Sequence, residues 1–215
     1  MEKLHIAVAP HKCLPPEILA EVFLYSLYRD PLNGRLGFLD FPPQPLPAPW
    51  VLGHVCSRWR QIALGEKRLW SSIYYEENSR GHMLSLQEAF KHSGQSTLWF
   101  EARESGKKLD NSFLSEVVLL QSHRITFLFL DVAAATFEDF LVLPSDLFDE
   151  LECIKLQIRQ GSRNLTRRLA TVFQGALHLR RVTTPLRNRS LMNLALPWEQ
   201  LAYLTPTPRY IELTD

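Results

Sequence analysis

Apolar and polar positions follow two different rhythms along this chain. In LPPEILAEVFLYSL, Leu14 to Leu27, the residues Ile18, Leu19, Val22, Phe23, Ser26 and Leu27 recur on one face of a 3.6-residue helix. Pro15 and Pro16 fix φ and lack amide donors, so they suit a first turn and the helix is predicted to begin there. Glu17 and Glu21 lie toward its positive end, where carboxylates are favoured. A second stretch, VLGHVCSRWRQIAL from Val51 to Leu64, puts Leu52, Val55, Cys56, Trp59, Ile62 and Ala63 on one stripe, and RLWSSI closes it at Ile73. Two short amphipathic helices are expected, too small to bury both faces alone.

From Trp70 onward, short apolar strand cores alternate with helical stretches. Written as one apolar residue, another three further on and a third two beyond that, they are Ile125/Leu128/Leu130, Leu151/Ile154/Leu156, Leu179/Val182/Thr184 and Leu201/Leu204/Pro206. The central positions 128, 154, 182 and 204 differ by 26, 28 and 22 residues, within the leucine-rich-repeat range of about 20 to 29. Leu98/Phe100, 30 residues before Leu128/Leu130, reads as a weaker member, and Ile73/Tyr75 can start the series.

Helices are predicted in the gaps. Leu86, Ala89 and Phe90 lie on one that stops at Gly94, a C-terminal cap. Asn111 or Ser112 caps another through Phe113, Val117 and Leu120; Thr136 caps Phe137 to Leu143 ahead of Pro144; Asn164 caps Leu165, Leu169, Val172 and Phe173 ahead of Gly175. One strand and one helix per unit argue a short, degenerate α/β solenoid with a ladder of parallel strands. The consensus asparagine is missing, and a compact α/β domain with parallel strands but no superhelix fits the same pattern. Residues 1–13 show no clear pattern and read as a lead-in. Residues 28–50 form an insert whose Pro31, Pro42, Pro43, Pro45, Pro47 and Pro49 exclude helix and central strand. Its FPPQPLPAPW segment suits a polyproline groove, although a solvated spacer is the favoured reading.

LPPEILAEVF, then VCSRWRQIAL after the insert, then RLWSSI, in that order, resemble an F-box, specifically the F-box-like domain of the expanded families of mushroom-forming fungi. The likeness covers residues 14–74, and LPWEQLAYLT, from Leu196, extends it by analogy to the region that follows, residues 75–215. The insert departs from ordinary F-box domains, which have a shorter connection, and leaves the register of the second helix open. The resemblance implies a helical F-box domain followed by leucine-rich-repeat-like units, an α+β or α/β chain. It further implies docking to the Skp adaptor and, through it, to a cullin-RING ubiquitin ligase, with a protein target held on the repeats. The implied adaptor contacts are Leu14, Pro15, Ile18, Leu19, Val22, Phe23, Val55, Trp59 and Leu64, some of which would double as the domain's own core. A repeat-type interaction protein with a decayed F-box, acting independently of ubiquitin, is the alternative. A solenoid needs a polar terminal unit, so an end at Asp215, close after the Leu204 strand, reads as a truncated family member or an exposed last strand.

Composition narrows the picture. With 215 residues, 46% hydrophobic and 22% charged, the chain can fold as one medium domain or two small ones. A net charge of +1 gives no global argument for nucleic acid or membrane, and no run approaches a membrane span. The apolar run Ile6 to Ala9 is too short for a secretory signal. Three scattered cysteines, at 13, 56 and 153, suit a reducing compartment, so the cytoplasm or nucleus is expected. His11, Cys13, His54 and Cys56 are soft ligands, but residues two apart on a helix face differently and Cys56 belongs to the apolar stripe, so no metal is expected. Ser105 and Lys108 match S-x-x-K without its partner motifs. Nucleotide-loop, serine-hydrolase and metalloprotease motifs are lacking as well, and neither a cofactor nor enzymatic activity is expected.

Charge is unevenly spread. Between Ile125 and Glu152 there are seven acids and no Lys or Arg; between Cys153 and Trp198 there are nine bases and no acid. Neutralisation between neighbouring repeats is the favoured reading, ahead of a basic surface for an acidic or phosphorylated partner. Without aromatic interleaving of the basic run, nucleic-acid binding is the weakest version.

Overall fold

The computed structural model describes residues 14–27, 49–76, 82–104, 119–140, 142–159, 171–184 and 195–206. They fall into two compact units: residues up to Ser71 together with Ala89–Gly94, and Ser72–Glu88 together with residues from Gln95 on. The lead-in, most of the proline-rich insert and all but the ends of the helices expected to begin at Asn111 and Asn164 lie outside the described residues; Val172 and Phe173, expected at the end of the second, lie in a turn.

The first unit is helical. It holds α1 (Pro16–Leu27), α2 (Pro49–Val55), α3 (Ser57–Gly65) and a 3-10 turn, Lys67–Trp70. Pro16 and Pro49 each open a helix, where a missing amide donor costs nothing; the last proline of the insert is therefore a helix start. The single helix expected from Val51 to Leu64 is two helices. Cys56 stands between them in an extended conformation, and its Sγ accepts from the Trp59 amide at 3.5 Å, capping α3. The break turns the residues beside it off the common stripe, so Cys56, expected to be buried, is exposed, as is Val55.

What holds this unit is a small aromatic core of Leu19, Phe23, Ala63, Leu69 and Trp70, with Leu14, Leu24, Leu52, Trp59, Ile62 and Ala89 packed around it. Trp70 is its centre: the indole N–H donates to the Ala63 carbonyl at 2.7 Å, so the buried ring leaves no polar atom unmet. Its ring meets Trp50 edge-on at 4.8 Å and His92 at 4.6 Å. Arg58 donates to the Leu14 carbonyl, which ties α3 to the residues leading into α1. Arg68 bridges Glu21 at 2.7 Å and Glu66 at 2.9 Å. The hydrogen bond from Arg68 holds the Glu66 carboxyl below its ordinary range, and the two carboxylates hold the guanidinium above its own.

The second unit is built on an open sheet. Its elements are β1 (Ser72–Glu76), most of α4 (His82–Ser93), β2 (Leu98–Arg103), β3 (Ile125–Ala133), α5 (Ala134–Phe140), β4 (Cys153–Arg159), β5 (Arg181–Thr184) and β6 (Tyr203–Pro206). All six strands are parallel and lie in chain order from β1 to β6. One register row runs Ile73, Phe100, Leu128, Ile154, Val182, Leu204, with members 27, 28, 26, 28 and 22 residues apart. The residues just ahead of the strands keep the same pitch: Glu152 donates to Thr126, Arg180 to Glu152 and Ala202 to Arg180, at 2.8 to 2.9 Å. One expected register is corrected. Leu98, aligned by pattern with Leu128, pairs with Ile125 across an irregularity, and Phe100 pairs with Leu128. Two apolar residues at i and i+2 fit either register.

Alternate strand residues face the core. Ile73, Tyr75, Phe100, Ala102, Leu128, Leu130, Ile154, Leu156 and Val182 are buried there, beside Phe137, Phe140, Phe148 and Phe173 from the connections, and α5 packs on β3 and β4. Gly94 ends α4 at φ +57°, the left-handed conformation expected of a C-terminal cap. Thr136, by contrast, is not the cap of α5. The strand β3 runs straight into the helix, and Glu104 supplies the acceptor instead, taking the Ala133 amide at 2.9 Å and the Thr136 hydroxyl at 2.8 Å. Gly175 lies in a turn where a Cβ would stand 2.4 Å from the Ser145 carbonyl oxygen, so only glycine fits.

Candidate docking surfaces

The nine residues singled out in the helical unit divide by the packing of three short helices. Leu19 and Phe23 are core, and Leu14 and Trp59 pack against it, the Trp59 ring 4.7 Å from that of Phe23. Pro15 is exposed at the start of α1. Ile18 is 49% exposed and Val22 48%, and they share the outward face of α1 with Tyr25, 79% exposed. Val55 on α2 and Leu64 on α3 are 54% and 39% exposed. Sequence reasoning missed Tyr25, Trp50 and Val51, which are also exposed. Tyr25 carried a signal, since it stands seven residues after Ile18, on the same helical face.

The sheet carries a second surface of another character. On the face turned away from the core, the register rows are Ser72, Trp99, Phe127, Cys153, Arg181, Tyr203, and Tyr74, Glu101, Phe129, Lys155, Thr183, Thr205. A third, shorter register row runs Glu76, Arg103, Asp131, Gln157. Trp99 and Phe127 stack with ring centroids 3.7 Å apart. The Arg103 guanidinium lies over Tyr74 at 5.7 Å and Phe129 at 5.2 Å, Lys155 Nζ over Phe129 at 4.2 Å, and Arg181 over Tyr203 at 5.0 Å. Cations facing ring quadrupoles contribute about 0.5 to 2 kcal/mol each, most where water is excluded. Aromatic interleaving, absent along the basic run, is present across strands.

Electrostatics on this face follow burial. Desolvation pushes the Lys155 ammonium down to about 8, with Glu101 drawing it up and Arg103 pressing it down. Burial pushes the Cys153 thiol up to about 11, which keeps it protonated and unreactive at neutral pH. Asp131 accepts from Arg159 at 2.8 Å, an ion pair that joins the acidic segment to the basic one. Glu101 is buried, and among the described residues its Oε2 has no hydrogen-bond partner. Among the described residues, no group of three His, Cys, Asp or Glu side chains is placed to hold a metal ion, and no helix is long and apolar enough to cross a membrane. Of the soft ligands noted in the sequence, His11 and Cys13 lie outside the described residues.

No protein-family model, no curated protein and no solved structure matches this chain.

Proposed function

We propose that this chain is an F-box-type receptor subunit of a Skp–cullin–F-box ubiquitin ligase, with the helical unit docking the Skp adaptor and the sheet unit holding a protein target. The observation that carries the first half is the surplus of apolar surface on a unit whose core is already filled. Ile18, Val22, Tyr25, Val55 and Leu64 stand outside that core, and exposed apolar groups in such number on three short helices mark an interaction site. The ordered motifs from Leu14 to Ile73 name the class of partner by resemblance.

For the second half, the support is topological. Strands in chain order with constant pitch have no switch point of the kind that binds nucleotides in doubly wound sheets. Parallel crossovers are almost always right-handed, and of the described connecting segments α5 packs on β3 and β4. The alternation of core residues with polar and aromatic ones fits cover on one face, because a parallel sheet covered on both faces reads as a continuous apolar run. A degenerate leucine-rich-repeat-like array is the reading these features support. The mechanism is proximity rather than chemistry on this chain: tethering replaces a bimolecular encounter by an effective concentration set by geometry.

Coexpression of the full chain with the Skp adaptor, followed by size exclusion, tests the docking. The two are expected to coelute. Ile18→Asp combined with Val22→Asp should weaken binding by about 100-fold or more while leaving the melting temperature nearly unchanged, since both residues are exposed and only interface burial is lost. Separate elution of two well-folded proteins would overturn the assignment and favour an interaction protein that works without the ligase.

A further inference from the structure

We infer that the open face of the sheet binds an extended, acidic polypeptide segment carrying an aromatic residue, laid across the strands along the row from Trp99 to Tyr203. The inference rests on the reading of the sheet unit as the target-holding part, and not on the adaptor contact.

Charge and burial on this face are sorted by sign. Among the strand residues of this face whose burial is described, the charged side chains that are not buried are arginines: Arg103 and Arg181 are half-buried and Arg159 is exposed. Of the other charged side chains on it, the carboxylates Glu101 and Asp131 are buried, as is Lys155. What a partner meets is therefore cationic, although the face contains acids as well. Burying the carboxylates behind arginines leaves the positive ends outermost, and a planar guanidinium suits a carboxylate through two parallel hydrogen bonds.

The second component is aromatic. Trp99 and Phe127 are stacked and half-buried, and Tyr203 is exposed with Arg181 over its ring. A row crossing β2 to β6 spans four strand intervals, about 19 Å at about 4.8 Å each. An extended peptide of about six residues covers that distance at about 3.3 Å per residue. Seating one aromatic side chain on the Trp99 and Phe127 pair places a carboxylate some residues along at Arg181. A nucleic acid would also meet cations and rings, but among the described strand residues the three arginines are spread over three strands, β2, β4 and β5, on three different rows. A polyanion backbone wants a continuous cationic track; separated carboxylates on a peptide do not.

The test is fluorescence anisotropy on the full chain with three labelled probes: a peptide of about eight residues built from Glu and Ser with one Phe, the same peptide with Lys for Glu, and single-stranded oligothymidylate. The acidic peptide is expected to bind at least about tenfold more tightly than either other probe, and to weaken as salt is raised. Arg181→Glu should cost at least about tenfold, and Arg181→Gln should repeat the loss with a smaller change in charge, each with a wild-type melting temperature. Equal binding of acidic and basic peptides, preference for the oligonucleotide, or wild-type affinity in both Arg181 variants would overturn the inference. The adaptor-face double variant should bind the peptide normally. Peptide binding without adaptor coelution would defeat the ligase assignment alone, and coelution without peptide binding would defeat this inference alone.

Discussion

The helical unit and the sheet unit make surfaces in opposite ways. In the helical unit the core is compact and aromatic, and what is left over on the outside is apolar: Ile18, Val22 and Tyr25 on one face of α1. In the sheet unit the core follows a long register row of apolar residues, and the far face mixes charged side chains with rings, cations seated on the rings. The difference teaches how much each surface depends on its neighbours. An apolar side chain such as Ile18 or Val22 is exposed because the core of the helical unit is filled by other residues of the same short helices. A cation on the sheet is held in place by residues more than twenty positions away in sequence, so its chemistry is a property of the ladder.

Removing the centre of the smaller core is expected to have the largest effect. Trp70→Ala deletes a fully buried ring and its hydrogen bond to Ala63, at a cost of about 3 to 5 kcal/mol. Residues 49–71 should become protease-sensitive while the amides of β2 to β4 stay protected in hydrogen exchange. Equal loss of protection in both units would break the distinction between them.

Lys155 sharpens the comparison from the other side. Its folded value near 8 lies below the ordinary 10.5, so between those limits the unfolded chain binds more protons than the folded one, and stability rises as pH is raised through that window. The penalty is fully present below about pH 8. Lys155→Met keeps the length of the side chain and removes the buried charge, so it should stabilise the protein at pH 7 by on the order of 1 to 3 kcal/mol and flatten the rise. Thermal melts from pH 7 to 10.5 check both; a melting temperature independent of pH in the wild type would argue that the ammonium is solvated.

The smallest expected effect is at the helix break. Cys56→Ser replaces a weak sulfur acceptor by a strong N-cap at the start of α3, and should raise stability by about 0.5 to 1 kcal/mol, read as a small upward shift in melting temperature. A loss would mean that the thiol contributes packing that the capping geometry does not reveal.

The contrast also explains what was legible in the sequence. The positions 128, 154, 182 and 204 could be aligned by eye because a parallel ladder at near-constant pitch repeats its core residues at that pitch. The far face could have been read from the same alignment one residue out of phase: Phe129 is paired with Lys155, and Arg181 with Tyr203. It was missed because a basic run searched for aromatics along its own length contains few, the rings being supplied by neighbouring strands. In the helical unit, periodicity named Ile18, Leu19, Val22 and Phe23 together, since a helical stripe is wide enough to hold all four. Only packing against α3 and the 3-10 turn decides that Leu19 and Phe23 go inward and the other two outward. The break at Cys56 had no usual signal, because cysteine is not among the preferred capping residues.

The order of the strands has a consequence for how the chain assembles. Each strand from β2 on pairs with the one synthesised 22 to 28 residues earlier, so every loop to be closed costs nearly the same entropy, the spread being about 0.2 kcal/mol. At about 5 to 20 residues per second a ribosome delivers such a unit in roughly 1 to 5 s, far longer than the microseconds in which local contacts form. No strand of the ladder has to wait for a partner still to be made. The sheet can be laid down as it emerges, with a single advancing edge, and a nascent chain halted between two strands already carries every pairing its sequence so far allows.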